Sequence, residues 1–337
     1  MKLLFAGTPE IAVPSLKTLY ALHVEGGFCE LSGVLTNPDT AKGRRGSASP
    51  SDVGVAAEEM LRCVAGRGGG DFVLIKSAYP DENCFQKIAR LGADMLVSFA
   101  YGAIFPPDFL ALFPMGGINI HPSLLPKYRG ASPIPAAILN RERETGISVQ
   151  RIAAKLDSGN ILAQEVIPLT GRETSAVLSG LVAEKSAALL ERTLRALAVG
   201  AGSVVETPQN HSAATFCGKL GREDGCIDWR QSALFIDAQV RAFNPYPLAY
   251  TRHDGLGLYI LEAAPYESRN AQEVDFASAS AGHGAGAVLG VDKSAGIIVQ
   301  TGDGLLVLKR LQYQTRKPLD WRSFLNGAKN FTGAVLG

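Results

Sequence analysis

Residues 2–6 (KLLFA), closed by Gly7, Thr8 and Pro9, and residues 31–36 (LSGVLT) decide the fold. Each is a short apolar run ended by turn-forming residues, a strand-then-turn signal. Between them Ile11, Val13, Leu16, Leu19 and Leu22 recur at helical spacing, with Pro9 tolerated in a first turn. Strand, helix, strand in that order predicts an α/β domain built on a parallel, twisted sheet. The turn after the first strand reads GTPEI and lacks G-x-G-x-x-G. The topology is therefore Rossmann-like without a dinucleotide fingerprint.

The pattern continues along the chain. Helices are expected over 52–64 and 81–91, with strands over 72–75 and 94–99. Another strand is expected over 145–149, and one more over 163–168. Thr174 can cap a long amphipathic helix over 175–197. Residues 200–203 (GAGS) read as a linker. Beyond it short apolar runs alternate with turns at Asp254-Gly255, Ser294-Ala295-Gly296 and Asp303-Gly304, which predicts a small OB-like β-barrel. The expected division is a first domain over 1–199, a linker over 200–207 and a second domain over 208–337. Gly66, Gly68, Gly69 and Gly70 follow a helical stretch rather than a strand and read as a flexible loop, as does the Ala, Ser and Gly-rich run over 271–286.

Composition narrows the class. The chain has 337 residues, enough for two domains, with 46% apolar and 19% charged content. A net charge of +1 advertises no global basic field, so any nucleic-acid contact must be local. From residue 207 onward, 13 Lys and Arg face 12 Asp and Glu, so the second domain has no general basic excess. The five cysteines form no C-x-x-C and are odd in number, which argues against a disulfide framework or a zinc site and for a reducing cytoplasm. The start, MKLLFAGTPE, is too short an apolar run for a signal peptide, and no segment approaches the ~20 apolar residues of a membrane span.

The chemistry is concentrated in residues 116–131 (GGINIHPSLLPKYRGA). A strand-like run ends at His121, and Pro122 turns the chain outward. Asn119 and His121, two apart on a strand, point to one face, and the carboxyl edge of a parallel sheet is where such folds keep their sites. Asp157 stands in a turn, DSG, between two apolar runs. If those elements are neighbours, a carboxylate, an imidazole and an amide meet, and donors aimed at a developing oxyanion suit acyl transfer. Ser123 lies near His121 but lacks a G-x-S-x-G elbow, so a serine-hydrolase triad is weakly supported. Two ligands of mixed type with no third His or Cys nearby argue against a metal site. Direct transfer between two bound substrates remains, with the protein supplying acid, donor and orientation. Residues 37–50 (NPDTAKGRRGSASP) form a long polar loop whose Lys42, Arg44 and Arg45 could lie along a phosphate backbone, or could simply be solvated.

These strings, with RGA at 129–131, ETG at 144–146, LDSGNIL at 156–162, IDW at 227–229, RAFNPYP at 241–247 and TGDG at 301–304, resemble the folate-dependent formyltransferases over nearly the whole chain. The resemblance implies a Rossmann-like domain that binds 10-formyltetrahydrofolate as co-substrate without a metal, followed by an OB-like domain. It implies that Asn119 and His121 hold the formyl oxygen as it becomes an oxyanion, that Asp157 orients and charges His121, and that Ser123, Leu124, Leu125 and Pro126 line the folate pocket. The start motif and basic loop point to those members that formylate the methionine on initiator tRNA. Lys42, Arg44 and Arg45 would then meet the acceptor stem, in a cytoplasmic monomer without membrane contact. Sugar-nucleotide N-formyltransferases share the chemistry and are the main alternative. A glycinamide-ribonucleotide enzyme, a formyl hydrolase and an inactive folate- or tRNA-binding protein fit less well.

Overall fold

The computed structural model describes residues 1–41, 48–64, 71–200, 202–267, 282–328 and 330–337. It contains two compact units. The first comprises Met1–Pro133, Glu144–Pro168 and Ser179–Cys217. The second comprises Ile134–Arg143, Leu169–Leu178 and Gly218–Gly337.

In the first unit the opening strand-helix-strand is in place. Lys2–Gly7 and Glu30–Thr36 pair in parallel, joined through the helix Val13–Val24. Val73–Lys76 extends the sheet beyond Glu30–Thr36, while Met95–Phe99 and then Gly117–His121 extend it on the other side of Lys2–Gly7. The chain thus builds outward in one direction, returns, and builds in the other. The reversal beside Lys2–Gly7 is a topological switch point, and the carboxyl ends of its strands open a crevice there. Glu144–Arg151 and Ile161–Pro168 complete the sheet antiparallel. The connection between these last two strands carries no crossover helix, which parallel pairing would require.

The central strands are buried because helices cover both faces. Leu3, Leu4, Phe5 and Leu96 are all fully buried. Leu4, Leu96, Leu35, Ile88 and Phe109 belong to one cluster that joins sheet to helices. Asp81 caps the helix Glu82–Ala89 by accepting from Cys84 N.

The second unit is an antiparallel sheet in the order Ala249–His253, Leu256–Pro265, Leu305–Tyr313, Gly296–Gln300, Val288–Asp292. Asp254 and Gly255 both take positive φ, as the two-residue hairpin turn between the first two strands demands. The helix Ala233–Ala242, capped by Ser232, buries Ile236 and Val240 against Leu258, Ile260 and Leu306. This is the small β-rich body that the spacing of turns predicts. Among the described residues no helix is long and apolar enough to cross a membrane.

Leu96→Ala removes a fully buried side chain at the sheet centre and should cost about 2–5 kcal/mol, read from urea unfolding followed by circular dichroism. A loss below about 1 kcal/mol would place Leu96 outside the core.

Candidate active site

Asn119 and His121 sit at the carboxyl end of Gly117–His121 and share a face, as residues two apart on a strand must. The ladder fixes their neighbours. Asn119 is opposite Gln150 and His121 is opposite Ser148 on the antiparallel side, and Asn119 is beside Ser98 on the parallel side. Asp157 arrives from the connection between Glu144–Arg151 and Ile161–Pro168, in a left-handed conformation with φ 48. Aspartate tolerates that region better than most residues. The turn closes with Arg151 N donating to Asn160 O at 2.9 Å. At Gly159 a Cβ would lie 1.9 Å from Arg151 O, so only glycine lets the chain return this closely.

The three groups converge. Asp157 Oδ2 accepts from Gly130 N at 2.8 Å and lies 3.6 Å from His121 Nδ1. Its Oδ1 accepts from Gln150 Nε2 at 2.9 Å and from Asn119 Nδ2 at 3.5 Å. His121 Nε2 is 2.8 Å from Tyr128 O. A carbonyl only accepts, so Nε2 carries a proton and Nδ1 is the face turned toward Asp157. The 3.6 Å separation exceeds a direct hydrogen bond. Nδ1 is therefore free to engage a third group.

Burial governs the charge state. His121 is 4% exposed. Desolvation holds its pKa below the ordinary histidine value, opposed by the Asp157 carboxylate and the Tyr128 carbonyl and assisted by the nearby Arg129 guanidinium. The sequence leads one to expect that Asp157 keeps the imidazole charged. In the folded site burial outweighs that attraction, so the resting ring is neutral.

A cavity of about 470 Å3 opens over these groups. Asn119, His121, Gln150 and Asp157, with Ser98 and Arg151, supply its polar lining, and Phe99, Tyr101, Ile104, Phe105, Ile152 and Leu156 much of the apolar remainder. Tyr101 stacks on Phe105 with ring centroids 5.4 Å apart and donates its hydroxyl to Ser77 O at 2.7 Å. This volume and character suit a small organic substrate with one reactive end held by polar groups.

Ser123, Leu124, Leu125 and Pro126 are not among the residues lining this cavity. The Ser123 hydroxyl is fully buried and donates to Lys127 O at 2.6 Å. That commitment removes it as a nucleophile paired with His121. Ser148 Oγ donates to Ser123 O and accepts from Leu125 N, while Gln164 Nε2 donates to Leu125 O, so the loop is braced from the sheet. Leu124 and Pro126 are half-buried, and the Leu124 side chain fills the space over Gly146. Lys42, Arg44 and Arg45 lie outside the described residues, as do Gly66, Gly68, Gly69 and Gly70. Among the described residues no group of three His, Cys, Asp or Glu could hold a metal ion.

Sequence reasoning missed Gln150, Arg129 and Gln209. A signal existed for the first. Ser148 and Gln150 are polar residues two apart on a strand that is otherwise apolar at its centre, which marks a polar face turned inward. Arg129 and Gln209 carry no such pattern.

Comparison with known proteins adds family information to this geometry. The formyl transferase family model matches residues 1–194, and the model of the formyl transferase C-terminal domain matches residues 219–329. A methionyl-tRNA formyltransferase of Treponema pallidum is 43% identical over 338 residues, covering 100% of this chain and 99% of its own length. One of Treponema denticola is 40% identical and covers 98% of each. Among solved structures, an N-formyltransferase from Helicobacter canadensis in complex with folinic acid and dTDP-3-aminofucose superposes with a TM-score of 0.62 over 93% of this chain and 99% of its own. Its 19% sequence identity limits that likeness to the fold.

Gly159→Ala should force the 157–160 turn away from Arg151 O, at a cost of about 1–3 kcal/mol in urea unfolding. Because Asp157 then withdraws, the His121 imidazole, followed by NMR, should titrate at lower pH than in the wild type. An unchanged titration would mean that the turn does not control the pair.

Proposed function

The chain belongs to the formyl transferase family and is a formyl-transferring enzyme, and from that premise we propose that it moves the formyl group of 10-formyltetrahydrofolate onto the free α-amino group of methionyl-initiator tRNA. The observation that carries the reading is the Asn119, His121 and Asp157 set on the polar floor of an otherwise apolar cavity. The full-length similarity to methionyl-tRNA formyltransferases supports this acceptor, at identities well above that of the Helicobacter canadensis N-formyltransferase of the same fold.

The proposed chemistry needs no protein nucleophile. The neutral amine attacks the formyl carbon, and negative charge gathers on the former carbonyl oxygen. Asn119 Nδ2 is an uncharged donor for that oxygen. His121 starts neutral, with Nδ1 open, and takes the proton the amine sheds. The resulting imidazolium forms beside Asp157 and faces the oxyanion. As the bond to the donor nitrogen breaks, His121 returns the proton to that departing nitrogen. One C–N bond forms, one breaks, and the proton balance closes. Asp157 thus charges His121 during the reaction.

The apolar walls of the cavity suit a flat heteroaromatic donor. Ser123, Leu124, Leu125 and Pro126 enter the proposal as the adjoining folate loop, braced by Ser148 and Gln164, with Leu124 and Pro126 offering the half-buried surface. We assign Lys42, Arg44 and Arg45 to the tRNA acceptor stem. Residues 1–199 would carry catalysis, 200–207 would link, and 208–337 would assist tRNA contact, apart from the stretch to Cys217, which belongs to the first compact unit, in a cytoplasmic monomer.

Purified protein given 10-formyltetrahydrofolate should formylate methionyl-tRNA and leave an amino-sugar nucleotide untouched; the reverse preference would overturn the acceptor. His121→Asn and Asp157→Asn should each lower kcat by about 10²–10⁴-fold, and a loss under tenfold would remove the assigned roles. The base form of His121 persists to below its ordinary pKa. Once divided by the fraction of substrate α-amine that is unprotonated, kcat/KM should therefore show an enzyme limb only below the ordinary histidine value, read from initial rates. Replacing Lys42, Arg44 and Arg45 together by Ala should raise KM for the tRNA and reduce its log–log salt slope by up to about 2–3, with kcat little changed. An unaltered KM would return the loop to solvent.

A further inference from the structure

Beneath the residues that face the cavity lies a buried polar chain that the chemistry above does not use. Arg129 and Gln209 are 5% and 6% exposed. The Arg129 guanidinium donates to Gln209 Oε1, through Nη2 at 2.6 Å and Nε at 3.2 Å, and also lies 2.9 Å from His211 Nδ1. Gln209 Nε2 is 2.7 Å from Gly159 O, 2.9 Å from Asp157 O and 3.2 Å from Gln150 Oε1. Gln150 Nε2 then donates to Asp157 Oδ1 at 2.9 Å.

The order of donors and acceptors has one sense from end to end. A guanidinium can only donate and a carboxylate can only accept. The two amides between them could each face either way. Arg129 requires Gln209 to turn its oxygen inward, which leaves the Gln209 N–H groups for the carbonyls of the 157–159 turn and for Gln150 Oε1. Gln150, with its oxygen so engaged, presents N–H to Asp157. Reversed, Gln150 would set an oxygen against a buried carboxylate, a contact with no proton to share.

We infer that Gln209, oriented by Arg129, is a positioning residue for Asp157, fixing both the left-handed turn that carries the carboxylate and the amide that donates to it. This rests on the role proposed above for Asp157. It also makes the stretch after the helix Ser175–Val199 part of the catalytic apparatus. Phe216–Cys217 pairs with Arg129–Gly130, and so holds in place the Gly130 N–H that meets Asp157. Gln209 touches no reacting atom in this arrangement and acts through Asp157.

Two variants test it. Gln209→Met deletes the amide. Gln209→Glu keeps acceptors toward Arg129 but removes every donor, so Gln150 must turn its N–H toward residue 209 and its oxygen toward Asp157. Thermal melts report folding, and either folded variant suffices. Both should lower kcat by about tenfold to a hundredfold with KM for both substrates within about twofold, since misplacement of a catalytic group acts on the reaction step. In an Asp157→Asn background the same replacements should cost nothing further. The His121 imidazole, facing the charged groups Asp157 and Arg129 and the Tyr128 carbonyl, should titrate at lower pH in Gln209→Met without substrates; Gln209→Glu, whose new carboxylate offsets Arg129, is read by kcat alone. A kcat within twofold of the parent, an equal loss in the Asp157→Asn background, or an unmoved titration in Gln209→Met would overturn the inference. Absence of wild-type formyl transfer would sink the reaction assignment alone, and the substrate-free titration would still decide Gln209.

Discussion

A carboxylate buried next to an imidazole must be held by N–H donors, or it drifts to solvent or takes up a proton. Asp157 meets that requirement with a backbone N–H from Gly130 and side-chain amides from Gln150 and Asn119. Each donor comes from a different piece of chain. Gly130 is delivered by a short parallel pairing with Phe216–Cys217, Gln150 by the antiparallel strand, and Asn119 by the last parallel strand. At Gly130 a Cβ would fall 2.2 Å from Cys217 O, and at Gly159 one would fall 1.9 Å from Arg151 O. Both glycines are required by backbone approach, and both approaches exist to bring donors and carboxylate together.

Fixing Asp157 fixes what His121 can do. The Tyr128 carbonyl selects the tautomer, leaving Nδ1 as the unprotonated nitrogen. Burial keeps the ring neutral at rest, while the carboxylate at 3.6 Å stands ready to stabilise the cation once a proton arrives. A permanently charged imidazole could not accept that proton, and an unsupported neutral one would be a poor place to leave it. The two opposing influences on one ring suit the two proton transfers proposed for it. The apolar walls from Phe99 to Phe105 keep the local dielectric low, which strengthens each of these interactions.

Much of the fold was legible because the sheet is built from local signals. Apolar runs closed by glycine and proline, and helical spacing between them, specify strand, helix and parallel connection without reference to distant residues. Asn119 and His121 were legible for the same reason, since two residues apart on a strand means one face. The antiparallel finish of the sheet was not, because strand direction depends on which edge a segment joins. The resemblance assigns Ser123 to the folate pocket, but only the closed loop shows that its hydroxyl turns inward to Lys127 O, over Ser148.

The sequence by itself determined the elements, the family resemblance and the chemical types at the site. Tertiary structure alone decided that Arg129, Gln150 and Gln209 form a chain of fixed donor sense ending on Asp157, and that burial outweighs Asp157 at His121. The physical reason is that hydrogen-bond direction and desolvation are properties of what surrounds a group in space. Gln209 lies about fifty residues from the turn it holds.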